Sequence, residues 1–173
     1  MTPILDDHAL EFVSRNPEQT RRLGSRLGAL LQGGDTICLE GALGSGKTCL
    51  AQGVGRGWGA RQTLVSPTFV LVREHVRPQN GDLVRLYHVD LYRISGVDEA
   101  LSLGIDELLG DAHAIFVIEW AERVWSLMPP EHLWIRLDFA NHVDQTRRSL
   151  HFTAQGERHT ALLQQFRRAA FGV

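Results

Sequence analysis

The sequence predicts an α/β fold, a three-layer sandwich around a mixed, mostly parallel sheet with an antiparallel hairpin. Three observations predict it. Apolar strand-like runs and helical patterns alternate along the chain. Ala114-Ile115-Phe116-Val117-Ile118 is continuously apolar, as a central strand covered on both faces requires. Thr36-Ile37-Cys38-Leu39 is a short apolar strand that runs straight into a glycine-rich loop.

The elements follow in order. Asn16-Pro17-Glu18 reads as a helix start: an N-cap, a proline in the first turn, then an acid. Leu23, Leu27 and Leu30 continue at helical spacing, and Gly33-Gly34 ends the helix. A second helix begins near Gly46 and carries Leu50 and Val54. Gly53, Gly55, Gly57 and Gly59 count here only as a cost, about 1 kcal/mol each relative to alanine. Residues 69–76 alternate as a strand, Pro78-Gln79-Asn80-Gly81 is a turn, and residues 82–91 return as the second arm of a hairpin. Residues 97–109 read as one or two short helices interrupted at Gly104. Residues 133–139 and 149–154 are two further strands, and residues 157–171 form a C-terminal helix. No repeat, linker or low-complexity tract divides the chain, so residues 1–173 read as a single domain.

Composition narrows the class. A net charge of −2 gives no bulk basic field, which disfavours a protein that grips nucleic acid alone, DNA included. Two cysteines, Cys38 and Cys49, make no disulfide framework and read as reduced thiols. No apolar run reaches membrane-spanning length, and no signal-peptide core stands near residue 1. The expectation is a cytoplasmic protein without membrane contact.

The chemistry concentrates in Gly41-Ala42-Leu43-Gly44-Ser45-Gly46-Lys47-Thr48, which fits G-x-x-x-x-G-K-[ST]. Lys47 is the single lysine among eighteen Lys and Arg side chains. Arginine is a rigid planar fork, whereas lysine is a point charge on a thin stem that can reach into a tight backbone loop. The glycines let backbone N–H groups turn toward phosphate oxygens, and the helix N-terminus adds its positive dipole end. Thr48 offers a hydroxyl to Mg²⁺, and Lys47 neutralises the transferring phosphate. Strand, loop and helix together specify a P-loop NTPase sandwich, with Cys49 next along the helix. An acid at the end of an apolar strand is also required near the metal. Glu119 closes residues 114–118 and Asp90 closes residues 83–89, so both are candidates. Asn141-His142-Val143-Asp144 is superficially similar to the guanine signature Asn-Lys-x-Asp, but His142 replaces the lysine, which leaves ATP as the expected nucleotide.

Ser66-Pro67-Thr68-Phe69, Tyr87-His88-Val89-Asp90-Leu91-Tyr92-Arg93 and Ile118-Glu119-Trp120 add a more specific signal. With the glycine loop, their order and spacing resemble the TsaE family (older name YjeE), the small P-loop ATPases of bacterial tRNA threonylcarbamoyladenosine synthesis. The resemblance implies ATP and Mg²⁺ as cofactors, with Thr48 and Glu119 on the metal and Asp90 as a carboxylate near the metal or the attacking water. It implies that Ser66 and Thr68 lie in a switch-like segment sensing the γ-phosphate, and that Trp120 sits beside the nucleotide. Thr20 matches the segment on the adenine side, and Arg148 reaches the base from the other. It implies a TsaB–TsaD transferase pair as partner, reset by ATP hydrolysis, with tRNA involved indirectly. Two positions depart from the family: Ala42 stands where an acid is usual, and Ala121 where proline often follows Glu-Trp.

Blander readings stand beside these. His88 reads as a packed strand residue before a proton carrier. Arg93 suits a phosphate, a partner or an ion pair with Asp98 or Glu99. Arg147, Arg167 and Arg168 read as solvated surface arginines, and Trp125 and Trp134 as packing residues. A small-molecule kinase and a nucleotide-dependent binding module with little hydrolysis are the competing functions. The kinase would need an acceptor pocket and usually an arginine-rich lid, which the chain does not display.

Overall fold

The structure, a computed structural model, describes residues 7–66, 71–141 and 146–172. Thr68 with its neighbours Pro67 and Phe69, and His142 to Asp144 of the guanine-like segment, lie outside the described residues. Among the described residues there are seven strands: β1 (Ala9–Ser14), β2 (Thr36–Glu40), β3 (Val72–Gln79), β4 (Asp82–Asp90), β5 (Ile115–Glu119), β6 (His132–Phe139) and β7 (Arg148–Gln155). Helices α1 (Pro17–Gly28), α2 (Lys47–Trp58), α3 (Val97–Ser102), α4 (Ile105–Leu109) and α5 (Glu157–Phe171) connect them, with 3-10 turns over Ala121–Leu127.

The strands form one sheet in the order β1-β7-β6-β2-β5-β4-β3. Its core, β6-β2-β5-β4, is parallel, while β7, β1 and β3 join antiparallel at the edges. Both faces are covered. Leu23, Leu27, Leu50, Val54 and Phe166 of α1, α2 and α5 pack on one side. Ala100, Ile105 and Val124 pack on the other with Phe116 and Ile118. That double burial is why β2 and β5 read as unbroken apolar runs rather than alternating ones.

Local chemistry sets the element ends. Asn16 accepts the Gln19 N–H at 2.9 Å, the N-cap bond that its side chain predicts. Regular α1 stops at Gly28, earlier than Gly33-Gly34 suggests, because the chain tightens. Leu30 N–H donates to Leu27 C=O at 3.0 Å and Leu31 N–H to Gly28 C=O at 3.3 Å, both i to i+3 bonds. Asn80 and Gly81, with φ of 53° and 88°, make the two-residue turn between β3 and β4. The first arm reaches Gln79, past the expected end, and tolerates Pro78 because β3 is an edge strand.

The α2 glycines have a structural use that the sequence reading missed. A Cβ on Gly53 would lie 2.2 Å from the Arg21 carbonyl oxygen, and one on Gly57 would lie 1.9 Å from that of Ser25. Gly24 and Gly28 of α1 reciprocate, at 2.4 Å from Leu50 O and 2.0 Å from Val54 O. Two Gly-x-x-x-Gly stripes therefore face each other, and the helix backbones touch. The crossing fixes where α2 begins, and so where the glycine loop sits.

Three further points correct the sequence reading. Strand β1 was not expected. Trp125 is not a packing residue: it is 72% exposed on the 3-10 turns. Arg167 is not solvated but 7% exposed on α5. Trp134 does pack, and its Nε1–H donates to Glu40 Oε2 at 2.6 Å. Among the described residues no helix is long and apolar enough to cross a membrane.

Candidate nucleotide-binding site

The site lies at the carboxyl ends of β2, β4 and β5, where open α/β sheets place their ligands. β2 delivers the glycine loop. Gly46 sits at φ 105°, a left-handed conformation that a side chain would strain, and it turns the chain into α2. Gly41 is required by close approach, since a Cβ there would meet Leu137 O at 2.3 Å. The first intrahelical bond of α2 is Leu50 N–H to Gly46 C=O at 2.9 Å. The N–H groups of Lys47, Thr48 and Cys49 precede it and have no intrahelical acceptor. They are a ready anion site at the positive end of a twelve-residue helix.

Lys47 is buried and folds back over the loop. Its Nζ donates to Gly41 O at 2.5 Å and Ala42 O at 3.0 Å, and lies 3.8 Å from the centre of the Trp120 ring. Burial lowers its pKa, opposed by the nearby carboxylates of Glu119, Glu122 and Asp90. Trp120 itself holds φ 61° and ψ 35°, a left-handed backbone that costs an ordinary residue about 1–3 kcal/mol. That bend packs its ring 5.0 Å from Tyr92, with the Arg123 guanidinium 5.3 Å from the Trp120 ring centre.

The two candidate acids are neighbours by construction. β4 and β5 pair in parallel with Asp90 opposite Glu119. Glu119 is 2% exposed, and Thr48 Oγ1 donates to its Oε2 at 2.8 Å. Its Oε1 meets His88 Nε2 at 2.8 Å. Asp90 instead faces the segment before β3: Ser66 Oγ donates to its Oδ2, and Tyr92 N–H to its Oδ1 at 2.9 Å. The two acids thus have different partners. Glu119 is bonded to the loop hydroxyl of Thr48, and Asp90 to the hydroxyl of Ser66.

A cavity of about 340 Å³ collects these groups. Leu43, Gly44, Gly46, Lys47, Thr48, Cys49, Ser66, Asp90, Arg93, Glu119 and Trp120 line it. Cys49 Sγ donates to Pro17 O at 3.2 Å, and burial raises its pKa, so the helix end does not activate this thiol. Ser45 is buried under the loop, leaving its backbone as the part that would face phosphate. Arg148 grips the loop from outside. Its Nη2 donates to Gly44 O at 3.0 Å, and its guanidinium lies 4.5 Å from the Phe139 ring centre. Thr20 is placed elsewhere than the sequence suggests. It is 1% exposed, its Oγ1 shares a 2.7 Å bond with Ser14 Oγ, and it is not among the residues that line the cavity.

Of two further participants, one was read in the sequence without its partner and one was not read at all. His88 is packed, as its strand position suggests, but it also contacts the acid. Glu122 is the other. Burial raises its carboxyl pKa, opposed by the N–H groups of Glu122 and Gly41 and by Lys47. Glu122, three residues beyond Glu119, thus stands beside the glycine loop. Among the described residues no three His, Cys, Asp or Glu side chains converge as a metal cage. Magnesium does not need one: it takes one or two carboxylates, a hydroxyl and phosphate oxygens, and keeps several waters. Thr48, Glu119 and Asp90 fit that donor set.

Sheet order and the strand–loop–helix crossing define a protein of the P-loop α/β class. The chain matches the family profile described as "Threonylcarbamoyl adenosine biosynthesis protein TsaE" over residues 14–149. It belongs to the TsaE family. It is 45% identical over 121 residues to the "tRNA threonylcarbamoyladenosine biosynthesis protein TsaE" of Streptomyces coelicolor, covering 69% of this chain and 79% of that one. The protein of the same description in Bacillus subtilis is 33% identical over 159 residues, covering 92% and 94%. The crystal structure of YdiB from Bacillus subtilis superposes with a TM-score of 0.70 at 31% identity, over 92% of this chain and 95% of that one.

Proposed function

We propose that this chain binds and hydrolyses ATP with Mg²⁺ as a cytoplasmic subunit of tRNA threonylcarbamoyladenosine synthesis. In this reading it acts on a TsaB–TsaD-type transferase pair and resets it between rounds, with tRNA reached through that pair. One observation carries the nucleotide chemistry: Thr48 on the loop helix and Glu119 at the end of β5 are bonded to each other across the mouth of the loop. A hydroxyl and a carboxylate in that relation are what a Mg²⁺–phosphate complex uses. The metal, when bound, supplies charge neutralisation on the phosphate oxygens.

The chain's own groups divide the remaining work. Backbone N–H groups of residues 44–49 hold the phosphates, and Lys47 leaves the Gly41 and Ala42 carbonyls for the terminal phosphate. Asp90 orients the attacking water and couples it to the segment that carries Ser66 and Thr68. Trp120 and Arg148 bracket the loop, Trp120 over Lys47 and Arg148 on Gly44. No acceptor substrate is needed, which sets this reading apart from a kinase.

ATP turnover by the purified protein tests it, alone and then with the cognate transferase pair and tRNA. Turnover should be slow alone and rise about tenfold with the pair, about 1.4 kcal/mol off the barrier. No rise with a pair shown active would sink the resetting role. Glu119→Ala should shift the Mg²⁺ midpoint for turnover about 10–100-fold upward and leave Mg²⁺-free nucleotide affinity unchanged. An unshifted magnesium titration would remove Glu119 from the metal.

A further inference from the structure

We infer that His88 is a positioning residue for Glu119, an inference that rests on the Mg²⁺–ATP reading above. His88 is 0% exposed, in β4, on the sheet face that also carries Leu86 and, across the parallel ladder, Val117. This face packs under α1 and α2. An apolar side chain would fill the place without penalty. The imidazole does not, because its Nδ1 is buried with no hydrogen-bond partner among the described residues. A buried polar atom left unpaired is destabilising. What the ring gains is at its other nitrogen, 2.8 Å from Glu119 Oε1.

The carboxylate accepts, so the Nε2 side of the ring carries the donated proton. Glu119 is then held from two sides, at Oε1 by the sheet and at Oε2 by the loop. The two bonds are not equivalent. Thr48 is the hydroxyl that a metal would also claim, through an oxygen lone pair, so its side of the arrangement is shared with the metal. The His88 bond comes from β4, not from the loop. It keeps a side chain with three rotatable torsions pointed at the metal. Ligand-orienting contacts of this kind typically change metal affinity 10–100-fold.

Two polar replacements separate the donor from the ring. Asparagine ends near the position of Nδ1 and cannot reach Glu119, whereas the glutamine amide extends to the position of Nε2. The experiment is a Mg²⁺ titration of the binding of a non-hydrolysable ATP analogue, by calorimetry on the full chain. Wild type, His88→Asn, His88→Gln and Glu119→Ala are compared, with thermal melts to show folding. His88→Asn should raise the Mg²⁺ midpoint about tenfold with Mg²⁺-free affinity unchanged, and His88→Gln should stay within about threefold of wild type. A wild-type midpoint in His88→Asn overturns the inference. So does a His88→Gln midpoint as poor as that of His88→Asn, since the ring and not its donor would then matter. Should His88→Asn fail to fold, His88→Gln decides alone: retention supports the role, and loss overturns it. A shift in Glu119→Ala without one in His88→Asn removes only this inference. Wild-type binding indifferent to Mg²⁺ removes the metal reading as well.

Discussion

Lys47→Ala should lower ATP turnover about 10²–10³-fold, the usual cost of removing one preorganised charge from a developing anion. The effect should be large because the ammonium alone is seated between the loop carbonyls. Lys47 is the only lysine, and two neighbouring guanidiniums are committed elsewhere: Arg148 to Gly44 O and Phe139, Arg123 to Ile94 O and the Trp120 ring. Lys47→Arg should fail nearly as badly. The ammonium fits between two carbonyls, 2.5 and 3.0 Å away, where a planar fork would collide with the loop. Steady-state phosphate release, read beside a thermal melt, makes the check. A folded Lys47→Ala protein with wild-type turnover would move the phosphate site off this loop.

Gly57→Val should be the most damaging single change to stability. The added Cβ alone would sit 1.9 Å from Ser25 O, against backbone that cannot rotate aside as a side chain can. Overpacking of this kind costs about 3 kcal/mol or more, which for a chain of this size lowers the melting temperature by about 6–12 °C. Gly81→Ala serves as a contrast, since nothing lies within 4 Å of a Cβ there. Its φ of 88° still strains alanine, so a modest loss of about 1 kcal/mol is expected. Equal melting temperatures for Gly57→Val and wild type would mean that α1 and α2 do not touch as described.

Much of this arrangement is written in short-range signals. The glycine loop, the Asn16 cap, the Asn80-Gly81 turn and the continuous run ending at Glu119 each declare themselves within a few residues. So does the class of fold, because a fully apolar strand can exist only between two layers. What escaped depends on partners far along the chain. The glycines of α2 look like a defect until α1 is laid against them, although Gly24-x-x-x-Gly28 and Gly53-x-x-x-Gly57 were a visible pair of stripes. Strand β1 exists because β7 offers it an edge, from Ala9 opposite Thr153 to Ser14 opposite Arg148, about 140 residues away. Thr20 carries no mark showing that its hydroxyl faces Ser14 rather than the cavity. His88 was readable as buried, but its partner was not, because the parallel register that sets it against β5 is invisible in either strand alone. Trp125 misled because a large aromatic in a helical stretch is usually packed, and here the 3-10 turns leave it outside.

The parallel pairing of Asp90 with Glu119 has a consequence for how such a site survives change. Neighbouring strands are held about 4.8 Å apart by main-chain bonds, whatever the side chains are. The spacing of the two main-chain positions that carry the carboxylates is therefore a property of the ladder, a ruler whose markings are peptide units. Loops feeding β4 and β5 can lengthen or shorten without moving it. The chain between α4 and β5 can change without shifting that register. A single residue inserted within either strand would turn one carboxylate to the opposite face, from the loop side to the side of α3 and α4. Over generations the loops here are expendable, and the strand interiors are where an insertion would be lethal to the chemistry.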